Sequence, residues 1–286
     1  IHPLYVTAAN SCLHKHFAYD FAKPWMGEGL IVASGPTWKR HRKLLNPAFS
    51  SQVLHSFLGV FNSQARRQVS IFESEVGRGK FDHLVSLKHI ALETACLTSF
   101  GITPDEDKDF NRLYMAAVDQ FLNIIVLRFS NFWLQSDLIY RFTALKKKQD
   151  EVVKVLNAMS TAVSLTFCLF DDIFTLMDLL LELSEENTLT DKEIKEEVDT
   201  AIVASYDTTS CLLAYIMMML GTLQEIFEGS DRDVTKDDLP KMVYTDAVIK
   251  ETHRLFPSVP VGLRYVDKDV QLSKFINNYT VPDLYI

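Results

Sequence analysis

Several familiar signatures are missing from this chain. It carries no GxSxG elbow, no HExxH pair, no P-loop and no GxGxxG turn. A hydrolase, a zinc enzyme of that type or a nucleotide-binding fold therefore has nothing to stand on. The eight histidines never fall at metal-ligand spacing. His14 and His16 are two residues apart and would leave a helix on opposite sides, which disfavours a metal site. Cysteine is scarce. Cys12, Cys96, Cys168 and Cys211 form no CxxC pair and mostly lie in apolar helical context, which suits reduced thiols. A net positive charge is also lacking: the formal charge is −8, which argues against nucleic acid as a partner. No uninterrupted apolar run reaches about 18 residues, and no opening segment reads as a signal peptide. Repeats and low-complexity segments are absent.

What is present is enough for a large core: 286 residues, 48% of them hydrophobic, with 19 Phe. The most regular stretch runs from Thr190 to about Gln224. Thr190 followed by Glu193 is a capping-box pair, and no Pro or Gly interrupts the pattern before Gly221. The first turns are acidic and suit a solvated face at the positive end of the helix dipole. Cys211–Leu220 is apolar on every face and is expected to be buried all round. Between them stand Ala204, Ser205, Asp207, Thr208, Thr209 and Ser210. Mid-helix hydroxyls compete with the backbone ladder, so Thr208 is expected to donate to the carbonyl of Ala204 or Ser205. Small Ala204 and Ser205 let a flat ligand approach, and Asp207 with Thr208 can relay protons there. The plain alternative is an amphipathic helix with Asp207 on its wet side.

Upstream, a helix over 37–46 follows Pro36 and places Trp38 and Arg42 on one face. An indole donor beside a guanidinium can hold a carboxylate. The plain alternative is a basic surface helix anchored by its Trp. Further helices are expected over 49–76, 81–100 (closed by Gly101), 106–128 and 137–160. One or two more, over 161–183, are expected to pack on the long one. Phe129–Leu134 lines a pocket or packs in the core. Asp246–Leu255 is a helix in which Glu251 and Arg254 form an i, i+3 pair, and 261–276 turns β-like. Both ends read as cut, since the chain opens on Ile1 and stops soon after a strand-like Tyr279–Val281. The expected fold class is mainly α with a small β portion, one domain over 1–286, truncated at both ends.

The order of these motifs, Trp38-xxx-Arg42, then Asp207-Thr208-Thr209, then Glu251-xx-Arg254 before Phe-Pro-x-x-Pro, resembles the cytochrome P-450 haem-thiolate monooxygenases. KPWMGEGLIVASGPTWKRHRKLLNPAF, SDLIYRFTALKKKQDEVVKVLN, LTDKEIKEEVDT and VTKDDLPKMVYTDAVIKETHRLFPSVPV are similar to the family-4 branch, including insect members. The resemblance covers nearly the whole chain. It implies haem b as cofactor, with Trp38 and Arg42 on one propionate and Arg264 on a second. It places Ala204 and Ser205 at the haem face, and Asp207 and Thr208 delivering protons on the oxygen side. Glu251 and Arg254 become a structural ion-pair core under the haem. It further implies oxygen insertion into a fatty acid or similar lipophile, with electrons from NADPH through a reductase near Lys39–Lys43. The implied location is the cytosolic face of the endoplasmic reticulum membrane, through an N-terminal anchor not in this chain.

Departures from the family pattern are specific. Ser205 stands where the family has Gly, and Ala204 replaces an acidic residue, so no covalent haem ester is expected. His253 replaces a Leu. Residues 159–176 do not match and look like a junction, and the chain after Gly221 looks shortened. None of the four cysteines has the FxxGxRxCxG context of the family's iron ligand, so no metal ligand is assigned and this stretch alone is expected to be inactive. The alternatives are a non-catalytic helical binding or decoy protein and a lipid-binding module using 121–134.

Overall fold

The computed structural model describes residues 14–102, 108–165, 174–221 and 232–265, together with 270–271 and 280–281. Among them, eight longer helices form the body: α1 Gly35–Leu45, α2 Leu58–Glu75, α3 His83–Phe100, α4 Lys108–Ser130, α5 Ala144–Leu165, α6 Leu176–Glu185, α7 Asp191–Gly221 and α8 Val243–Leu255. Two short strands, β1 Val270–Gln271 and β2 Thr280–Val281, pair antiparallel with Val270 opposite Val281. The fold is mainly α with a small β portion.

Local chemistry sets the helix ends. At the start of α7 the Glu193 amide donates to the Thr190 hydroxyl at 3.3 Å, and the Thr190 amide donates to the Glu193 carboxylate at 2.9 Å. Two amides that a helix start leaves without partners are thereby satisfied. Thr175 and Asp178 repeat this arrangement at α6. Helix α3 begins where the Asp82 carboxylate accepts from the Leu84 amide at 3.0 Å, and it ends at Gly101, in the left-handed region at φ +64°.

Helix α3 is the hinge of the packing: α7 lies along one side of it and α2 along another. Helices α4 and α5 pair with each other, and α5 also meets α7. Phe100, Tyr114, Phe121, Leu156, Leu180, Ile202 and Tyr206 close the core. Each such burial stabilises by about 1.5–3 kcal/mol before side-chain entropy is subtracted. Helices α4 and α7 are long and apolar enough to cross a bilayer by length and composition, yet both contribute residues to this core.

The structure differs from the sequence-based expectation in several places. The segment 49–76 is not one helix: a 3-10 turn (Asn46–Phe49) and a short helix (Ser51–Ser56) precede α2, with the break at Phe57, which is itself buried. The acidic start of α7 is only partly solvated: Asp191 is exposed, but Glu196, Glu197 and Asp199 are buried against the 23–33 segment, α1 and α5. Conversely the apolar end of α7 is partly exposed, at Tyr215, Met217 and Met218, because the described neighbours cover only part of its surface. Phe129, Phe132 and Trp133 do not fill the core; they are exposed around the turn that follows α4. Helix α6 does pack on α7, as well as on α3. Much of the atypical 159–176 stretch, Cys12, Cys168 and the residues just after Gly221 lie outside the described residues.

Candidate functional site

The middle of α7 turns its hydroxyls inward. Ser205 Oγ donates to the Ala201 carbonyl at 2.7 Å, Thr208 Oγ1 to the Ala204 carbonyl at 2.6 Å, and Ser210 Oγ to the Asp207 carbonyl at 3.0 Å. Each hydroxyl proton is thus committed to the helix, and the oxygen lone pairs remain as acceptors. The side chains then diverge. Ser205 and Thr209 face an apolar groove of about 590 Å³ between α2, α3 and α7, walled by Phe61, Phe72, Ala91 and Met217 among others. Asp207 faces Lys88 on α3, with Oδ1 4.0 Å from Nζ and the carboxylate 27% exposed. Burial raises its pKa, the Lys88 charge opposes that rise, and Asp119 on α4 adds to it.

Helix α1 carries Trp38, half-buried, and Arg42, exposed and without a hydrogen bond or ion pair among the described residues. Between them in sequence stands His41, fully buried. Its Nδ1 lies 2.6 Å from Glu197 Oε1, and its Nε2 lies 3.4 Å from Glu193 Oε1, both on α7. Arg40 Nη2 approaches the same ring at 2.9 Å and pairs with Glu193, while Nη1 donates to the Thr188 carbonyl at 3.1 Å. The hydrogen bond to Glu197 raises the His41 pKa against the burial that lowers it.

Arg264 reaches this region through a short backbone pairing. The Tyr265 amide donates to the His14 carbonyl at 2.9 Å, and Lys15 bridges Arg264 in antiparallel fashion. On its other side the Lys15 amide donates to Ser34 Oγ at 2.9 Å, immediately before α1. Segment 14–16 therefore ties the Arg264 strand to the first turn of the Trp38–Arg42 helix. Lys15 Nζ donates to the Leu30 carbonyl at 2.7 Å and to that of Ile31. Burial, and then the nearby Arg264 charge, lower its pKa to about 7, with Glu197 and Glu28 opposing. Arg264 donates to its neighbour's carbonyl at Leu263 and lies over the Tyr19 ring. Among the described residues no carboxylate forms an ion pair with Lys15, Arg42 or Arg264. Arg42 and Arg264, each without a paired carboxylate among the described residues, are the kind of donors that fit a ligand bearing carboxylates, while Lys15 Nζ is taken up by the Leu30 and Ile31 carbonyls.

Glu251 and Arg254 form their pair on α8, with Nε donating to Oε2 at 2.8 Å and Nη2 to Oε1 at 2.6 Å. It is not an ionic core among the described residues: the side chains are 53% and 66% exposed, because no described element covers that face. Helix α8 meets α7 instead through Tyr215 and Phe256, whose rings stack at 4.7 Å. Cys96 is buried on α3 with its thiol pushed up to about 12 by burial and then by Glu93, and burial likewise raises Cys211. Neither is placed to be a thiolate.

Sequence reasoning missed the groups that join α1 to α7. His41 was hidden in a basic run, and the acidic turns of α7 looked like a wet face. A usable signal was there, since Glu193 and Glu197 are four residues apart and share one stripe. The glycines of the preceding loop were also passed over. A methyl group at Gly27 would overlap the Glu196 carboxylate, and one at Gly29 would overlap the Thr200 hydroxyl. The loop backbone therefore rides directly on α7, and the Leu30 amide donates to Glu197 Oε2 at 3.2 Å. Trp25, buried in the short helix Lys23–Met26 that precedes this loop, packs edge-on against Phe121 of α4 at 5.2 Å.

Comparison with known proteins places the sequence in a family. Cytochrome P450 4c21 of Blattella germanica is 31% identical over 94% of this chain and 59% of its own length. Cytochrome P450 4V2 of Mus musculus is 30% identical over 94% of this chain and 57% of its own. Cytochrome P450 4c3 of Drosophila melanogaster is 30% identical over 91% of this chain and 56% of its own. The chain thus spans somewhat under three fifths of the length of these relatives. The family model described as Cytochrome P450 matches residues 8–283, so the chain belongs to the cytochrome P450 family.

Proposed function

We propose that this chain is the haem-embracing part of a family-4-like monooxygenase that inserts one oxygen atom into a fatty acid or similar lipophile. The observation that carries the reading is that segment 14–16 links Arg264 to the first turn of the Trp38–Arg42 helix, with no carboxylate paired to Arg42 or Arg264 among the described residues. Haem b offers two propionates of the right chemistry. Trp38 Nε1 and Arg42 would hold one and Arg264 the other, and the bound haem would supply the redox centre at which oxygen is activated.

The residues of α7 then divide the remaining work. Ala204 and Ser205 present short side chains to the flat ligand. Thr208, its proton given to the Ala204 carbonyl, accepts a hydrogen bond at its oxygen. Asp207, its pKa raised mainly by burial, holds a proton more readily than a surface Asp and passes it toward that oxygen. Electrons come from NADPH through a reductase docking near Lys39–Lys43, at the cytosolic face of the endoplasmic reticulum membrane. No cysteine here has the glycine-rich context of the family's iron ligand, so residues 1–286 alone are read as non-catalytic.

The test separates propionate recognition from apolar adsorption. The full chain is titrated with haemin and with its dimethyl ester, following the Soret band. Haemin is expected to bind more tightly, and Arg42→Ala with Arg264→Ala should abolish the preference. Equal affinity for acid and ester would remove the reading. Reduction under carbon monoxide should give no thiolate-type band, and such a band would show that the chain carries its own ligand.

A further inference from the structure

The His41 cluster lies between α1 and α7, next in sequence to Arg42. Glu193, Glu197, Ala201, Ala204 and Thr208 follow one another at three- or four-residue steps, so they lie on one stripe of α7. Glu197 precedes Ala204 by two turns, a rise of roughly 10 Å. A helix pinned at Glu193 and Glu197 is thereby held at a set distance from Ala204 and Thr208. His41 is the residue of α1 that is pinned there, and Arg42 follows it directly.

The charges around the ring are few and opposed. Helix α7 contributes Glu193 and Glu197. Helix α1 contributes Arg40, which pairs with Glu193 and donates to the Thr188 carbonyl before α7. The 23–33 loop contributes the Leu30 amide on Glu197, and Lys15 acts on Glu197 from farther away. Both carboxylates point at a ring with no exposure to water. An imidazolium can donate from Nδ1 to Glu197 and from Nε2 to Glu193. A neutral ring keeps only one N–H, and its second nitrogen must accept from Arg40. The charged form therefore holds Glu197 by an ion-pair hydrogen bond at 2.6 Å and reaches Glu193, 3.4 Å away, only once Arg40 draws back from Nε2, whereas the neutral form accepts from Arg40 there and keeps the weaker N–H bond to Glu197.

We propose that His41 and Glu197 are a positioning pair that fixes the Trp38–Arg42 helix on α7, made as imidazolium and carboxylate and loosened when the ring loses its proton. The role assigned to α1 rests on the function proposed above; the pair itself does not. The Glu197 hydrogen bond raises the folded-state pKa, so the stabilisation is complete below the ordinary histidine value and is lost as pH rises through the raised one.

The test is hydrogen exchange by mass spectrometry on the full chain between pH 6 and 9, corrected for intrinsic rates, with α3 as internal reference. Protection of the 35–45 peptide should fall about tenfold across that range, the size expected for a charge-assisted bond to a buried carboxylate. His41→Arg, which keeps the charge and cannot titrate at that position, should lack the fall. His41→Gln and Glu197→Gln should be poorly protected throughout. A wild-type profile that tracks His41→Arg, or His41→Gln protected like wild type at pH 6, overturns the proposal. Should the variants fail to fold, the ring pKa from NMR of the wild-type chain decides, and a value below that of an unfolded histidine overturns it. Haemin affinity should fall with the same profile in wild type relative to His41→Arg. If haemin binds neither protein while the exchange difference is present, the cofactor reading fails and the pair is supported. If haemin binds both with one pH profile, the positioning role fails.

Discussion

Replacing Gly29 with Ala tests how tightly the loop before α1 is set on α7. The added methyl would lie against the Thr200 hydroxyl and 2.5 Å from the Glu196 carbonyl oxygen. The hydroxyl can rotate away; the carbonyl belongs to the α7 ladder and cannot. The loop must therefore lift, and its lifting strains the Leu30 amide bond to the buried Glu197, now 3.2 Å. Overpacking of this kind costs about 1–3 kcal/mol, and a weakened hydrogen bond to a charged group about another 1 kcal/mol. We expect a loss of about 3 kcal/mol, read as a lower urea midpoint with an unchanged slope. Thr200→Ala in the same background should recover only a small part, since the carbonyl contact persists. Gly27→Ala meets a movable Glu196 carboxylate but also needs φ +52°, so about 1–2 kcal/mol is expected. A Gly29→Ala midpoint within 0.5 kcal/mol of wild type would show that the loop does not ride on α7 as described.

Other outcomes follow from the same contacts. Burial works against the Glu193 carboxylate, but Thr190 and Arg40 outweigh it and hold its pKa at about 2. Its contribution is present above the ordinary carboxylate range and is lost as pH falls toward 2, so Glu193→Gln should flatten the acid limb of the urea midpoint between pH 5 and 2.5. Lys15, held at about 7, runs the other way. Between about 7 and its unfolded value the unfolded chain binds the extra proton, so wild-type stability should climb over that interval, and Lys15→Met should remove the climb. Phe256→Ala removes the stack on Tyr215 and should cost about 1 kcal/mol beyond the lost area, seen as selective loss of exchange protection in α8. Arg254→Ala breaks only an exposed pair and should leave the urea midpoint unmoved, whereas a marked drop would mean that α8 is covered on that face.

Much of the fold was legible because helix signals are local. The Thr190–Glu193 cap, the left-handed Gly101 and Pro36 in the first turn of α1 each act within one or two turns of chain, and each is found where the residues place it. The back-bond of Thr208 to Ala204 was equally readable, since donor and acceptor lie on one helix. Burial was less legible. Acidic Glu197 and Asp199 sit inside, while Trp133 and Phe132 sit outside, because residue type reports a tendency to be buried and not which neighbour arrives.

The chain by itself determined most of the helical segments, several of their ends, and to which family it belongs. Those properties depend on residues close together in sequence or on the order of motifs. Only the tertiary structure decided that His41 finds Glu197 across 156 residues and that segment 14–16 carries Arg264 to the first turn of α1. A charged side chain costs too much to bury alone, so its role is settled by the partner that packing supplies, and no local pattern names that partner.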